Sequence, residues 1–313
     1  MNGSKRTIAA ACLLAAIVIP FGLGEGYALQ VVDIALINAV VVVGLNFVTG
    51  WTGQVNFGQA AFFGIGAYAT AIASKAGLPW IATPFLAALL ASIASLGLGL
   101  PTLRLRTFYL AMATIGFGEI VRLVLLHWEP VTGGSSGLRA IPGISLGPLA
   151  PVGNFQHYYV LLAVLSLALL VAWRIRNSRL GRDMIATRDS ETAAELGGVD
   201  TVRTKITAFV LAAVYAGIAG CLYASYIRYI SPDSFTNQQA VLFFTMLVIG
   251  GSGSLAGAVL GALMLTFLPE MFRSVGQYYL VFYGLGVIAV IILAPRGIAG
   301  LIAALNVRLR LAR

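Results

Sequence analysis

Glu119 and Arg122 stand three residues apart inside one long apolar run, residues 107–127. At that spacing the two side chains share a helix face. An isolated charge at membrane depth is costly, so an ion pair is the expected arrangement. It serves either as a structural pair or as part of a pathway or gate. A second group of polar side chains is uncharged. Asn46, Gln54, Asn56 and Gln59 lie among glycines in GLNFVTGWTGQVNFGQAAFFGIGAY, residues 44–68. Amides donate and accept, so they suit a path for a neutral or zwitterionic solute. They suit interhelical hydrogen bonds equally well. Glycine-interrupted apolar segments are also where broken helices offer backbone groups to a substrate.

Enzymatic chemistry finds little support. GGSSG, residues 133–137, formally matches G-x-S-x-G, but a nucleophile elbow needs a strand before it and a helix after it. Here the match lies in a loop with Pro130, Pro142, Pro148 and Pro151. The three lysines, Lys5, Lys75 and Lys205, do not follow a glycine, so no phosphate-binding loop of the G-K-[ST] kind exists. Cys12 and Cys221 both lie in apolar runs, which argues against a disulfide framework. No spacing suggests a metal site.

These residues need elements to hold them, and composition says which. The chain has 313 residues, 59% hydrophobic and 10% charged, with mean hydropathy +0.92. Soluble domains carry about 25% charge. The expected fold is all-α, a polytopic membrane bundle of about ten spans in a single domain, 1–313. Short segments with strict period-2 alternation are absent, which argues against a barrel. The net charge of +9 does not point to nucleic acid, because the basic residues fall between apolar runs.

The expected spans are residues 8–29, 31–48, 59–74, 79–100, 107–127, 158–173, 206–227, 239–249, 255–268 and 278–293. Asp33, at the start of the second, is expected at the outer interface. Both termini are placed in the cytoplasm. That arrangement puts Lys5, Arg6, Arg104, Arg106, Arg296, Arg308, Arg310, Arg313 and the long charged loop inside. Only Lys75, Arg139, Arg228 and Arg273 then lie outside, as the positive-inside rule demands. Residues 129–156 become an extracytoplasmic loop. Gly253, Gly257 and Gly261 recur every four residues and are expected to form one packing face of a helix. Whether the segments near 49–59 and 250–254 are broken or re-entrant stays open at this level.

The one long polar stretch is residues 174–205. It holds Arg174, Arg176, Arg179, Arg182, Arg188, Arg203 and Lys205, seven of the chain's twenty basic residues. A short helix is expected through residues 192–196, capped by Asp189 or Ser190 and ended by Gly197 and Gly198. An exposed helix of that kind fits a groove on a soluble partner.

ETAAELGGV, residues 191–199, resembles the EAA loop of ABC importer permeases. SRLGRDMIATRDSETAAELG, residues 178–197, is similar to the version found in branched-chain amino-acid (Liv-type) permeases. So are the glycine-rich block at 50–68, TGGSSGL, GGSGSLAGAVLGA (residues 250–262) and APRGIAG. The TGG loop resembles the M-type more than the H-type member of the permease pair. The hydrophobic-Leu-Pro that follows the glycine in other importers is missing, as it is in Liv-type permeases. The resemblance implies that Glu191, Ala193, Ala194, Gly197 and Gly198 form the coupling motif that rests on an ATPase subunit.

It further implies a second, H-type permease subunit, two ABC ATPase subunits and a periplasmic binding protein. This chain would bind no cofactor, with ATP and Mg on the ATPases. The location implied is the bacterial inner membrane, and the cargo leucine, isoleucine or valine. Relatives of this pattern also carry other amino acids, amides or urea. The competing class is a secondary transporter working without ATP, which would prefer ionisable residues in its spans. Glu119 is the only carboxylate placed in mid-span.

Overall fold

The computed structural model describes residues 26–102, 107–144 and 154–271, with positions 20, 284, 288, 297, 298 and 300. Most of the expected first span and nearly all of the tenth, the basic pair Arg104 and Arg106 and the basic residues of the tail lie outside the described residues. All eight segments expected between them form helices.

The central helix is α1, Tyr27–Leu45, which continues without a break into a π-helical turn, Asn46–Trp51. It therefore starts four residues earlier and ends three residues later than its apolar run suggested. In the most apolar 18-residue stretch of the span from Tyr27 to Trp51, 94% of the residues are buried. At 1.5 Å per residue the 25-residue span rises about 38 Å, enough to cross a bilayer core. After Trp51 the chain leaves helical geometry, turns at Gly53 with φ +72°, and re-enters helix as α2, Gln59–Lys75.

A short turn over Trp80–Ala82 leads into α3, Thr83–Thr102, and α4 follows as Thr107–His127. A single helical turn, α5, Glu129–Thr132, opens the loop that carries GGSSG. That loop has Gly133, Gly134 and Gly137 at positive φ and a two-residue strand β1, Leu138–Arg139, after it. The strand–turn–helix setting of a nucleophile elbow is not there. Helix α6, Asn154–Asn177, brings the chain back to the charged loop. The loop folds as α7, Arg179–Asp189, and α8, Glu191–Leu196. Then come α9, Thr201–Ile227, strand β2, Tyr229–Ile230, α10, Asn237–Gly250, and α11, Leu255–Met271. Strand β2 pairs antiparallel with β1, Leu138 opposite Ile230, a small exception to the all-α expectation.

Among the described residues, five helices are long and apolar enough to cross a membrane: Tyr27–Trp51, Trp80–Pro101, Phe108–His127, Phe155–Asn177 and Thr201–Ile227. α10 and α11 are apolar but shorter. α1 packs against α11, α9 and α6, while α2 lies between α9, α3 and α4. The peripheral helices turn Phe85, Leu89, Ile93, Met112, Ile120 and Leu167 outward. In water that would be an aggregation surface; against lipid it is the expected solvent-facing side.

Lipid tails are as apolar as leucine, so the helices are held by close contact rather than by apolar burial. One such close contact joins α2 to α9. A Cβ on Gly66 would run into the Gly217 backbone, and one on Gly220 would meet the backbone of Phe63 and Ala67. The α10–α11 pair is built in the same way, but with different glycines from those expected. Gly253 is not in a helix. It sits in the turn before α11 with φ +88°, so it cannot share a helix face with Gly257 and Gly261. Gly250, at the end of α10, takes its place and packs on Gly257 and Gly261 across the turn.

Asp33 lies on the second turn of α1 and is fully buried within the bundle. Tyr226 and Tyr158 come within electrostatic reach of it, yet neither carboxylate oxygen accepts a hydrogen bond of good geometry.

Candidate functional site

Helix α8 is built as its sequence promised. Ser190 is extended, φ −162° and ψ 113°, and its Oγ accepts the Ala193 N–H at 3.3 Å. Of the two capping candidates, Ser190 is therefore the cap; Asp189 ends α7. The Gly197 N–H closes the helix onto the Ala193 carbonyl, and Gly198 turns the chain away with φ +81°. Ala194 is the buried residue of α8, while Glu191, Ala193 and Leu196 are exposed. Leu196 is 87% exposed, the most exposed large apolar side chain among the described residues.

The loop is tied to the bundle at three places. Lys205, buried in the first turns of α9, donates to Glu191 Oε1. The Thr201 hydroxyl donates to Glu195 Oε1 at 2.7 Å. From α7, Arg188 Nη1 donates to the Gly50 carbonyl at 2.5 Å, reaching the π-helical turn of α1. Met184, fully buried, seats the inner face of α7 beneath it.

The four amides all sit at the break between α1 and α2. Asn46 and Asn56 are fully buried, as is Gln59, and Gln54 is nearly so. Asn46 Oδ1 accepts the Gly253 N–H at 2.8 Å, which joins the α1 break to the α10–α11 turn. Gln59 Nε2 donates to the Val41 carbonyl at 3.3 Å and to the Ala212 carbonyl at 3.0 Å, tying α2 to α1 and α9. Asn56 Oδ1 accepts the Gly58 N–H at 2.8 Å and shapes the entry into α2. One end of each of these side chains thus holds backbone. The other ends, Asn46 Nδ2, Asn56 Nδ2 and Gln59 Oε1, have no protein partner, and neither does Gln54 Oε1. Buried groups of this kind are where a water or a polar solute binds.

Glu119 shares no partner with the amides. Its Oε1 accepts from Arg122 Nε at 3.0 Å and Nη2 at 2.5 Å, and its Oε2 accepts from Asn237 Nδ2 at 3.4 Å. The expected pair is formed, and it braces α4 against the start of α10.

Sequence reasoning missed a cavity of 370 Å³ between α1, α9, α10 and α11, lined by Asn38, Tyr223, Asp233, Ser234, Gln239 and Thr266 among others. None of the expected path residues lines it. Its polar groups come from five separate stretches of chain, so no local pattern announces it.

Residues 27–295 match the family described as branched-chain amino acid transport system / permease component. The chain belongs to this permease family. It is 33% identical to the high-affinity branched-chain amino acid transport system permease protein LivM of Escherichia coli K12, over 94% of this chain and 75% of that protein. It is 34% identical to the LivM of Salmonella typhimurium, over 92% of this chain and 73% of the relative. A more distant relative is the autoinducer 2 import system permease protein LsrC of Yersinia pseudotuberculosis serotype IB, 27% identical over 69% of this chain and 61% of that one. No solved structure matches. The chain is thus a multi-pass permease subunit of a transporter, and the family resemblance read from residues 178–197 and the glycine-rich blocks holds.

In this permease, α8 is too short to be stable alone and depends on its cap. Ser190→Ala should weaken it by about 1 kcal/mol. Hydrogen–deuterium exchange of residues 190–198 should then speed up about fivefold, with the spans unaffected.

Proposed function

We propose that this chain is the permease subunit of an ATP-driven importer of branched-chain amino acids, coupled to its ATPases through α8. The observation that carries this reading is α8 itself. It is a capped, glycine-ended helix held from beneath by Lys205 and Thr201, with Arg188 tying the preceding α7 to the end of α1, and it presents Leu196 to water. An exposed apolar residue on a rigidly supported helix fits a groove on a soluble protein.

Charge supports a cytoplasmic setting for that end. Seven basic residues lie in residues 174–205, whereas Lys75, Arg139 and Arg228 are those at the opposite end among the described residues. The positive-inside rule assigns the richer side to the cytoplasm of a bacterial inner membrane. Partners of the kinds expected are a second, H-type permease, two ATPase subunits that hold ATP and Mg, and a binding protein on the far side. Glu191, Ala193, Ala194, Gly197 and Gly198 make up the coupling segment.

The 370 Å³ cavity opens near the end where a binding protein would deliver cargo, and its size is that of a small-molecule site. Asp233 suits an ammonium, Ser234 and Gln239 a carboxylate, and Phe63, Leu242 and Met246 an aliphatic side chain. Inward from it, the half-satisfied amides at 46–59 offer a polar continuation. ATP binding then moves α8 and the body attached to it, and the permease switches between two states that hold the solute differently.

The test is uptake of labelled leucine into proteoliposomes that contain this chain, its partner permease, the ATPases and the binding protein. ATP-dependent uptake, competed by isoleucine and valine, is expected. Uptake that proceeds without ATP would overturn the importer reading in favour of secondary transport. ATPase stimulation without leucine movement would leave the mechanism standing and move the cargo to another amino acid, an amide or urea.

A further inference from the structure

Two helix breaks meet at one point in this fold, and a single side chain from the charged loop fills the space between them. The first break is the π-helical turn Asn46–Trp51 at the end of α1. The second is the turn over residues 251–254 between α10 and α11. They are joined directly: the Gly253 N–H donates to Asn46 Oδ1 at 2.8 Å, and Trp51 Nε1 donates to the Gly253 carbonyl at 3.2 Å. Arg188, from the last turn of α7, adds the third contact, through its 2.5 Å bond to the Gly50 carbonyl.

The surroundings are shaped to this guanidinium. A Cβ on Gly253 would lie 3.1 Å from Arg188 Nη1, and a Cβ on Gly53 would lie 3.0 Å from Arg188 Cγ. The charge also matches. Gly50 belongs to the last turn of α1, where carbonyls lack helical donors and the helix dipole is negative. A cation there is favoured, and its hydrogen bond is charge-assisted. The residue as a whole remains solvent-exposed, so the contact is reversible rather than locked into a core.

We infer that Arg188 is the positioning residue through which movement of the coupling loop reaches the transmembrane breaks. This deepens the importer reading and rests on it. Helices α7 and α8 are joined by Ser190 alone, which caps α8 directly after α7 ends. A displacement of α8 by an ATPase is therefore carried into α7. From α7 the Arg188 bond carries it to Gly50 and, through Asn46 and Trp51, to Gly253. Both breaks have glycines at positive φ, Gly53 on one side and Gly251 and Gly253 on the other, so they yield at low cost where a regular helix resists. Asn46, one of the buried amides of the proposed path, changes its setting with them.

The experiment compares wild type, Arg188→Ala and Arg188→Lys in the full reconstituted complex, reading leucine moved per ATP hydrolysed. Arg188→Ala is expected to keep the complex assembled and its ATPase active while uptake per ATP falls about tenfold, the scale of one charge-assisted hydrogen bond. Arg188→Lys, which keeps the charge and one donor, is expected to restore a large part of it. An unchanged ratio in Arg188→Ala would overturn the inference. So would a parallel loss of uptake and ATPase activity, because that places Arg188 in docking or folding alone. Hydrogen exchange on the assembled permease without ATP separates this proposal from the importer reading. Arg188→Ala should raise exchange at residues 50–54 and 251–254 together whatever the cargo, and protection unchanged at both would sink the proposal by itself.

Discussion

Valine at position 220 should prevent the permease from assembling. Gly220 faces α2 from α9, and a Cβ there would fall on the Phe63 carbonyl and 2.8 Å from the Ala67 nitrogen. Both are backbone atoms of a helix that is itself buried on α3 and α4, so neither can step aside as a flexible side chain can. The contact is reciprocal. Gly66 of α2 meets the Gly217 backbone in the same interface, and Gly217 in turn rests against the Ala87 carbonyl of α3. Opening the α2–α9 contact for one isopropyl group therefore moves three helices. Overpacking in a close-packed interior costs about 1–3 kcal/mol, and more where backbone must shift. In lipid no apolar burial offsets the lost close contact.

The measurement is monodispersity and thermal midpoint of the detergent-solubilised protein. Gly97→Ala and Gly116→Ala are the internal controls. Nothing stands within 4 Å of a Cβ at either place, so both should be tolerated. A Gly220→Val protein that elutes as a single species with the wild-type midpoint would show that this interface is not what holds the bundle.

The helices were legible because a long apolar run in a chain this poor in charge folds as helix: the eight segments expected over the described residues are all helical, and five helices there are long and apolar enough to cross a membrane. The α8 signal was legible for a local reason too. A cap, a six-residue helix and two glycines are written within ten consecutive positions. Glu119 and Arg122 were readable as a pair because three residues on a helix fixes their distance. What failed were inferences that needed a boundary or a partner far along the chain.

The four-residue period of Gly253, Gly257 and Gly261 is real in the sequence, but the helix begins only at Leu255. The period crosses a turn, where it has no geometric meaning. The burial of Asp33 was not legible, because an apolar stretch does not show which face of its helix is turned inward. Nothing in NFVTGW announces a π-helical turn, and the Arg188–Gly50 bond spans 138 residues. Contacts of that kind are settled by tertiary packing, which a local pattern does not encode.

The second large effect is expected at Leu196. Its side chain is 87% exposed and lies on the six-residue helix α8, whose geometry rests on Ser190, Gly197 and the bonds to Thr201 and Lys205. Leu196→Asp touches none of those supports, so the permease should fold, insert and pair as before. What it alters is the face offered to the ATPase. An apolar anchor seated in a partner's groove is worth about 2 kcal/mol or more on truncation, and a carboxylate in its place adds the desolvation of an unpaired charge. ATP-dependent uptake and ATPase stimulation should both fall about thirtyfold or more, with the ATPases lost on co-purification.

Gly197→Asp with Gly198→Asp should have a similar outcome by a different route, since position 198 holds φ +81° and a residue with a Cβ is strained there, which deforms the helix end. Leu196→Ala separates the two routes: it keeps the backbone and removes only the anchor, so an intermediate loss is expected. If Leu196→Asp retains its ATPases and its uptake, the exposed leucine is not the docking contact. The coupling surface must then be sought on α7 or on the exposed start of α9.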